Sequence, residues 1–455
     1  MTPEYAAFLA NKAPRAKPVG IPPGPMPAHL FDYQAECVAF ALERGRAAMF
    51  LDTGLGKTAI QLEWCRQAAE ASNGRALILT PLAVARQIEA EGRKWGYDIR
   101  VVRNADEVGA GISVCNYDRL DMLNAEAFGA VSLDESSILK NLTGATTRAL
   151  LRTFDGVRFK LASTATPAPN DHMELGTHSE FLEVMRSQEM LSRWFKNDTE
   201  TASQTWRLKG HAETAFWDWV ASWARCAGSP EDLGFDGSRH VLPPLDIRKH
   251  HVQAEVKAMA GTLFAGPISA TDMHATKRQT AEARAQIVAE LVAAEPGEAW
   301  VLWCDSDAEA DALTKAIPGA AEVRGSHPAE RKESTIAAFG DGSIRYLVAK
   351  PSACGFGLNW QHAARMAFIG RSFSYEAWFQ AVRRSWRFGQ TRPVVVHLIV
   401  AEGEEQIGRV IDRKADGHAV MRRQMAAAMR RAMAPAVEVK VPYIPTFKAE
   451  LPSWL

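Results

Sequence analysis

Apolar and polar positions alternate in the first half of the chain in a way that predicts an α/β fold. In residues 29–185, short apolar runs at 47–51, 76–79 and 131–133 are separated by amphipathic stretches such as 58–70. Parallel strands are buried on both faces and are joined by crossover helices, so such runs predict a parallel sheet. We therefore predict a first α/β lobe over residues 29–185.

The alternation returns in residues 275–407, where apolar runs occur at 299–303, 346–348 and 394–400. This second set of runs predicts another parallel-sheet lobe of similar length. Two tandem lobes also imply a cleft between them. The predicted fold class is α/β, with two tandem parallel-sheet lobes and an insert between them.

Residues 186–274 lack the alternation and hold five of the thirteen tryptophans within 30 residues. Phe216, Trp219 and Trp223 recur at helical spacing, which favours core packing over a surface on which bases stack. The segment 190–245 also lacks a cationic surplus, since it contains six Lys or Arg and seven Asp or Glu. We therefore predict a helical insert or linker that shapes a groove.

The two ends of the chain differ from the lobes. Residues 1–28 end in a run rich in Pro and Gly, which sustains neither a helix nor a central strand, so we predict an extended arm. Residues 408–455 carry Met421, Met425 and Met429 beside several arginines, before a Pro-broken tail. This spacing predicts a basic helix whose arginines either track nucleic-acid phosphates or face solvent.

Composition narrows the class of function. The chain has 455 residues, 47% hydrophobic and 23% charged, which is typical of folded domains. Lys plus Arg and Asp plus Glu both number 53, so a nucleic-acid partner must be held by local basic strips. The six cysteines lie at least 28 positions apart, which argues against a zinc site and a disulfide framework. Without a signal-peptide core or a membrane-length apolar run, we expect a soluble, cytoplasmic protein with no membrane partner.

A glycine-rich segment, Asp-Thr-Gly-Leu-Gly-Lys-Thr at 52–58, follows the apolar run 47–51 and precedes a helical stretch. A strand, such a loop and a helix together bind phosphates, because backbone N–H groups converge and the helix N-terminus adds positive potential. Lys57 would reach the β- and γ-phosphates, and Thr58 would offer its hydroxyl to Mg²⁺. Leu51 replaces the first glycine of the general motif. The candidate phosphate-binding residues are Thr53, Gly54, Leu55, Gly56, Lys57 and Thr58.

Two adjacent carboxylates, Asp134 and Glu135, follow the apolar run 131–133. Asp134 can hold Mg²⁺, partly through water, and Glu135 can polarise the water that attacks the γ-phosphate. An isolated Asp-Glu pair at a strand end is more often a solvated turn. The phosphate loop upstream favours the catalytic interpretation, with ATP and Mg²⁺ as cofactors.

The order of these segments resembles superfamily 2 helicases and translocases, particularly the Swi/Snf-type branch with its phage and bacterial relatives. Residues 52–58 look like motif I, and 134–141 resemble the DEAH box. Thr-Ala-Thr-Pro at 164–167 is similar to motif III, while 353–360 and 380–390 look like motifs V and VI. The resemblance covers most of the chain and implies two RecA-like lobes with ATP between them.

The same resemblance implies further site residues. Gln34, in the segment Leu-Phe-Asp-Tyr-Gln at 30–34, looks like the glutamine that recognises adenine, and Gly357 belongs to the motif V segment. Arg384 and Arg387 are the implied arginine fingers, which would stabilise the charge that develops on the γ-phosphate. Three residues depart from the family pattern: Ser137 replaces the box histidine, Cys354 a motif V glycine, and Arg383 a small residue of motif VI.

Nucleic-acid contacts are less directly indicated. Motifs Ia and III to V would line a groove across both lobes, where hydroxyl, amide and cationic groups can contact phosphates. For each such residue a solvated strand end is an equally good interpretation. The candidates are Thr80, Arg86, Asn116, Tyr117 and Lys350.

These observations predict an ATP-dependent motor that moves along nucleic acid, with duplex DNA as the preferred track and RNA as an open alternative. A strand-unwinding helicase and an ATP-gated DNA-binding module that recruits a partner are the other hypotheses, and a small-molecule P-loop kinase is a remote one. We expect a monomer. The positions on the nucleic acid at which it acts would be selected by a partner protein or by the shape of the nucleic acid. If the gene is carried by a phage, the expected location is the host cytoplasm.

Overall fold

A computed structural model shows two parallel β-sheets, each flanked by helices, and describes residues 14–198, 205–252, 270–354, 358–401 and 404–433. The predicted α/β class with two tandem parallel-sheet lobes is confirmed. Within these residues, no helix has both the length and the apolar character needed to cross a membrane.

The first sheet has seven strands, and its neighbouring strands pair in parallel. Its strands are β1 (Arg46–Leu51), β2 (Arg75–Thr80), β3 (Ile99–Val101), β4 (Gly111–Asn116), β5 (Ala130–Asp134), β6 (Phe159–Ser163) and β9 (Ala224–Ala227). The order across the sheet is β3-β4-β2-β5-β6-β1-β9. Every residue of β5 and β6 is buried, as the continuous apolar runs require for central strands covered on both faces.

Helices cover both faces of this sheet and join its parallel strands. They are α1 (Asp32–Arg44), α2 (Lys57–Glu70), α3 (Ala85–Lys94), α4 (Ala145–Thr153), α5 (Glu174–Phe181), α6 (Ser187–Trp194) and α7 (Glu213–Ala221). The described part of the N-terminal arm runs beside the end of α1, where the Val19 N–H donates to the Arg44 carbonyl at 3.0 Å. Residues 1–13 of the arm lie outside the described part.

The predicted helical insert is wrong in one important respect, because its tryptophans belong to the first lobe. Strand β9 pairs with β1 in register, and Trp194, Trp217 and Trp219 are buried in the same core as β1 and α2. A two-stranded hairpin, β7 (Phe195–Asp198) and β8 (Thr205–Leu208), projects between α6 and α7. The large aromatic side chains therefore form packed core, as their helical spacing favoured.

The second sheet has six parallel strands in the order β10-β15-β14-β11-β13-β12. Its strands are β10 (Leu245–Val252), β11 (Trp300–Trp303), β12 (Ala320–Val323), β13 (Tyr346–Ala349), β14 (Arg365–Phe368) and β15 (Val394–Ala401). Its helices are α8 (Ala270–Ala294), α9 (Asp307–Ala316), α10 (Ala329–Gly340), α11 (Pro351–Cys354) and α12 (Tyr375–Val382).

Strand β10 corrects the predicted start of the second lobe at residue 275. It pairs along its whole length with β15, from Leu245 opposite Val394 to Val252 opposite Ala401. Most of β10 is exposed or half-buried, so it lacks the continuous apolar run that marks a central strand. An edge strand with one solvated face gives no such signal.

The last helix, α13 (Glu405–Met433), begins in the second lobe and packs on the first. Ile407 and Ile411 contact the Tyr375 region of α12, whereas Met421, Met425 and Met429 are buried in the core of the first lobe. The methionine stripe thus braces the helix. Arg413, Arg423, Arg430 and Arg431 are exposed on its outer side, whereas Arg422 is half-buried. Residues 434–455 lie outside the described part.

Candidate active site

A cavity of about 310 Å³ lies between the two sheets. It is bordered by the loop after β1, by the carboxylates that follow β5, and by the segment after α12. The predicted site residues that line it are Thr53, Gly54, Gly56, Lys57, Thr58, Asp134, Glu135, Arg384 and Arg387. Sequence positions about 330 residues apart therefore converge on one space, where the carboxyl ends of β1 and β5 of the first lobe meet the segments that precede β14 and β15 of the second.

The glycine-rich loop has a backbone that requires glycine. Gly54 and Gly56 adopt φ values of 94° and 75°, in the left-handed region. A Cβ on Gly54 would come within 2.8 Å of Phe388, and one on Gly56 within 2.1 Å of the Gln34 amide nitrogen. The loop leads directly into α2 at Lys57. Its backbone N–H groups and the positive end of α2 therefore border the cavity, as an anion site requires.

Gln34 supports this loop from behind. Its Nε2 donates to the Leu55 carbonyl and to the Tyr33 hydroxyl, both at 3.2 Å, and its Oε1 accepts from the Phe31 N–H at 3.0 Å. Gln34 is buried, and its amide is engaged at both ends by the protein. The predicted contact with adenine would require these bonds to change, so the structure places Gln34 as a support of the phosphate loop.

Asp134 and Glu135 are both buried at the end of β5. Asp134 Oδ1 accepts from Gln61 Nε2 at 2.9 Å, and its Oδ2 accepts from the Thr80 hydroxyl at 3.2 Å. Burial raises the pKa of Asp134, while the Gln61 hydrogen bond and the charge of Lys57 oppose the rise. These donors orient the carboxylate toward the cavity.

Glu135 has a strained backbone, with a φ of 52° in the left-handed region that non-glycine residues seldom adopt. Its Oε2 accepts from the Thr164 hydroxyl at 3.3 Å, which ties it to the segment predicted as motif III. Burial raises the pKa of Glu135 to about 7, although the charges of Lys57 and Arg384 act against this rise. A carboxylate with a pKa near neutrality is suited to accept a proton from water.

Lys57 lies near these two carboxylates. Its Nζ donates to the Leu51 carbonyl at 3.0 Å. Burial lowers the pKa of Lys57, and the charges of Glu135, Asp134 and Asp52 partly restore it. A half-buried ammonium group beside an anion-binding loop can pair with a phosphate, whose negative charge would offset the cost of its desolvation.

Arg384 and Arg387 reach the cavity from the second lobe. The Nη1 atoms of both donate to the Leu358 carbonyl, at 3.2 Å and 3.1 Å, and Arg384 Nη2 donates to Gln380 at 3.1 Å. Burial lowers the pKa of Arg384 to about 9, against the opposing charge of Glu135. Gly357, which precedes this carbonyl by one position, lies outside the described residues.

The residues around the cavity fit a nucleoside triphosphate with a hard divalent cation. The fit rests on a loop with no room for Cβ atoms, the half-buried Lys57 ammonium group, two buried carboxylates and the Thr58 hydroxyl. Oxygen donors of this kind suit Mg²⁺. Thr58 and Asp134 would hold the metal, and Lys57 with the loop would hold the phosphates.

Two of the predicted nucleic-acid contacts are wrong in this structure. Thr80 is buried and donates to Asp134, and Tyr117 is buried and donates to the Asp134 carbonyl at 2.7 Å. Thr80 therefore supports the Asp134 carboxylate and Tyr117 supports the Asp134 backbone, and neither side chain faces a groove. Asn116 precedes Tyr117 and is half-buried. Arg86 is exposed on α3 and pairs with Glu89 at 3.1 Å.

Lys350 lines a second cavity of about 490 Å³, which also lies between the lobes. Pro81 and Leu82, after β2, form the side that belongs to the first lobe. Lys350 itself pairs with Asp307 at 2.8 Å. The cations that border this cavity are Arg324, Lys332 and Lys350. Of these, Arg324 and Lys332 gave no sequence signal, since neither belongs to a recognisable motif.

Two buried residues behind the first cavity were also missed by sequence reasoning. Gln61 and His178 stand behind the two carboxylates, where His178 Nε2 lies 3.2 Å from the Ser136 hydroxyl. Burial lowers the pKa of His178 to about 4. Gln61 lies one helical turn after Lys57, at the spacing that places it on the same face, and this was the signal that could have identified it.

Comparisons with known proteins agree with the motif resemblance. The chain is 23% identical over 460 residues to the p41 protein of Acyrthosiphon pisum secondary endosymbiont phage 1, which covers 88% of this chain and 98% of that protein. It is 24% identical over 421 residues to the SWI/SNF-related matrix-associated actin-dependent regulator of chromatin subfamily A-like protein 1 of Bos taurus, across 82% of this chain and 42% of that protein.

A solved structure, the Sulfolobus solfataricus SWI2/SNF2 ATPase core in complex with dsDNA, is similar with a TM-score of 0.42 and 15% identity, over 90% of this chain and 98% of that one. No family model matches the chain. The resemblance to Swi/Snf-type proteins is confirmed by the sequence similarity that extends across most of the chain.

Proposed function

We propose that the protein hydrolyses ATP between its two lobes and couples hydrolysis to movement along duplex DNA. One observation carries this proposal: Lys57 of the first lobe and Arg384 of the second border the same cavity as Glu135. A phosphate held by Lys57 would thus lie between the carboxylate that handles water and the cation that neutralises developing charge.

Each part of the cavity has a defined task in this proposal. The loop from Gly54 to Lys57 binds the β- and γ-phosphates, and Thr58 with Asp134 holds the metal. Mg²⁺ supplies charge neutralisation between the phosphate oxygens when it is bound. Glu135 orients the attacking water and accepts its proton, while Arg384 and Arg387 stabilise the charge on the γ-phosphate as the bond breaks.

Movement requires the lobes to change their relative position during the cycle. The fingers come from the second lobe and the phosphate loop from the first, so the catalytic set is complete only when the lobes are closed. Opening after hydrolysis would withdraw Arg384 and Arg387. A repeated cycle of this kind can shift the two lobes along a strand of DNA.

The second cavity supports a nucleic-acid track next to the nucleotide site. Lys332 and Lys350 of the second lobe face Pro81 and Leu82 of the first across it. Cations at such a seam would contact phosphates while the two lobes move. Duplex DNA is the preferred track because the motifs are most similar to those of translocases, and because a relative is by name a regulator of chromatin.

The test is steady-state ATP hydrolysis by the full chain with no polymer, with single-stranded DNA, with duplex DNA and with RNA. We expect the greatest stimulation by duplex DNA and loss of turnover in Glu135→Gln, which keeps the shape of the side chain. A triplex-displacement assay run beside a strand-displacement assay then separates the two motor hypotheses. Removal of the third strand without opening of the duplex supports translocation, whereas duplex opening would identify a helicase.

A further inference from the structure

Asp52, the residue that precedes the phosphate loop, pairs with arginines from two other parts of the chain. Its Oδ2 lies 2.5 Å from Arg383 Nη2 and 3.2 Å from Arg422 Nη1. Its Oδ1 accepts from the Thr53 N–H at 2.6 Å, within the loop itself. The Asp52 carboxylate is nearly inaccessible to solvent, with 5% of its side chain exposed. Both of its oxygens are therefore engaged.

The two arginines are themselves held in place. The Arg383 guanidinium lies 4.4 Å from the Trp386 ring centroid and 5.3 Å from that of Phe379, and its Nη1 donates to the Trp386 carbonyl. Arg422 passes over Gly228, where a Cβ would come within 1.3 Å of Nη2. Only a glycine leaves room for this path. The contacts are thus built into the packing of three segments.

These segments belong to different parts of the fold. Asp52 follows β1 of the first lobe, Arg383 directly follows α12 of the second lobe, and Arg422 lies in the middle of α13. Arg383 also immediately precedes Arg384. The carboxylate that holds Arg383 therefore determines how far the finger segment lies from the loop that begins at Thr53.

Charge makes the arrangement sensitive to the loss of Asp52. Two guanidinium groups share one buried carboxylate oxygen, so the carboxylate offsets their mutual repulsion. Without its charge, two cations would remain close together in a site with little solvent. The simplest relief is separation of α12 and α13 from the loop, which would move the fingers away from the phosphate site.

We propose that Asp52, Arg383 and Arg422 form an inter-lobe charge junction that positions Arg384 and Arg387 over the phosphate loop. All three are positioning residues, since they act through the fingers and the loop. Through Arg422, α13 then helps to position the fingers during ATP hydrolysis, in addition to packing against the first lobe. This inference rests on the proposed hydrolysis of ATP at the same cavity.

The test compares Asp52→Asn with the wild-type chain in steady-state ATP hydrolysis. Asparagine keeps the acceptor for the Thr53 N–H, removes the charge and places an amide NH2 where Oδ2 accepts from both arginines. We expect kcat to fall about 10- to 100-fold, as for fingers displaced by about 1 Å. The KM for ATP should change by less than about threefold, because the residues that bind phosphate are untouched. Unchanged kcat would overturn the proposal, and so would a parallel loss of ATP binding, which would assign Asp52 to the loop alone.

The matched control is Asp218→Asn. Asp218 pairs with Arg431 of the same helix at 2.6 Å, at an exposed position where 47% of its side chain is accessible. The substitution makes the same chemical change in another ion pair between α13 and the first lobe. Wild-type kcat is expected in this variant, whereas a loss equal to that of Asp52→Asn would show that any weakening of α13 suffices, against the junction.

A double variant, Asp52→Asn with Arg422→Gln, tests the charge argument itself. Removal of one of the two uncompensated cations should restore part of the kcat that Asp52→Asn loses, so the double variant is expected to be the more active. Equal or lower activity contradicts a junction based on charge. Should Asp52→Asn fail to fold, Arg422→Gln alone serves, because Arg422 is partly exposed. Arg422→Gln should lower kcat with little change in KM. A wild-type kcat in this variant would show that α13 does not take part in positioning the fingers, against the proposal.

The wild-type measurement separates this inference from the proposed function. A wild-type chain that does not hydrolyse ATP under any polymer condition overturns the proposed function. A wild-type chain that hydrolyses ATP, with an Asp52→Asn variant that does so equally well, overturns the charge junction alone.

Discussion

Glu376 of α12 lies 2.5 Å from the Lys140 ammonium nitrogen and so pairs the second lobe with the first. Lys140 ends the short helix Ser136–Lys140, which directly follows the two candidate catalytic carboxylates. Only 5% of the Glu376 side chain is accessible, against 41% for Lys140. The pair therefore connects the segment after Glu135 to the helix that leads to Arg384 and Arg387, the proposed arginine fingers.

Loss of this connection should affect turnover more than nucleotide binding. We predict that Glu376→Gln lowers kcat by about 3- to 10-fold and leaves the KM for ATP nearly unchanged, since closure weakens while the phosphate loop stays intact. Steady-state ATP hydrolysis measures both constants. Glu282→Gln is the matched control, because Glu282 pairs with Lys315 within the second lobe and 81% of its side chain is exposed. The prediction would be contradicted if the two variants lowered kcat equally. It would also be contradicted if the KM for ATP changed in Glu376→Gln as much as kcat.

Arg384→Ala should abolish most of the catalysis. We predict a decrease in turnover of roughly 10³-fold or more with ATP binding nearly intact, because the finger acts on charge that develops during the reaction. Binding of a fluorescent ATP analogue and steady-state hydrolysis measure the two quantities separately. Arg392→Ala is the control, since Arg392 pairs with Glu298 at 2.9 Å on the surface of the same lobe. Turnover equal to that of the wild type would refute the finger assignment.

The pKa of Glu135 predicts how activity depends on pH. Because burial raises this pKa to about 7, the carboxylate proposed to activate water is protonated in the free protein at lower pH. We predict that kcat/KM for ATP rises with pH and has a midpoint of about 7. The measurement is a pH profile of kcat/KM with the chain shown to be folded at each pH. A profile that is flat from about pH 5.5 to about pH 8.5 would exclude Glu135 as the general base.

The stability contribution of Glu135 should fall as pH rises, whereas kcat/KM should increase. The folded-state pKa of about 7 lies above the ordinary value of 4.5, so between these values the folded chain binds more protons than the unfolded chain. The contribution of Glu135 to the free energy of unfolding therefore falls as pH rises through this window. We predict that Glu135→Gln raises the melting temperature relative to the wild type more at about pH 8 than at about pH 5. Thermal unfolding at both values measures this difference, and an equal shift at both would contradict it.

The methionine stripe of α13 should contribute to the stability of the first lobe. Met425 is buried in that core, so Met425→Ala is predicted to cost roughly 2 to 5 kcal/mol of unfolding free energy. Met433 on the same helix is 39% exposed, and Met433→Ala should cost less than about 0.5 kcal/mol. Chemical denaturation of the two variants gives the comparison. Similar costs would mean that the helix does not pack as a brace.

Lys350 and Lys332 should contact DNA phosphates at the second cavity. We predict that each Lys→Ala substitution weakens duplex binding on all sequences and lowers the slope of log affinity against log salt by about one unit. Lys315→Ala is the control, because this lysine is 78% exposed on α9, away from the cavity. An unchanged slope in both lysine variants would place the DNA elsewhere.

Local features of the site could be predicted from the sequence. The apolar run, the glycines and the following helix at 46–70 form β1, the loop and α2, because each depends on interactions between near neighbours. The carboxylates at the end of β5 could be located in the same way. The resemblance to a known family then indicated which distant segments should meet, including the segment that carries Arg384.

Other features depended on pairing between distant parts of the chain. Strand β10 joins the second sheet as an edge with a solvated face, so it carries no apolar run, and β9 is too short to give a clear pattern. Thr80 and Tyr117 stand at strand ends, where sequence alone does not distinguish a solvated hydroxyl from one that donates to a buried carboxylate or carbonyl. Strand register in the folded sheets decided where β9 and β10 belong, and burial decided the partners of Thr80 and Tyr117.

The amino-acid sequence by itself determined the central strands of both sheets, the class of fold and the chemistry of the phosphate loop, because short-range periodicity and residue type are sufficient for these. Only the tertiary structure decided that α13 returns to the first lobe and that Asp52 lies between Arg383 and Arg422. The physical reason is that ion pairs between residues more than 300 positions apart depend on the packing of whole lobes, and no local pattern in the sequence encodes that packing.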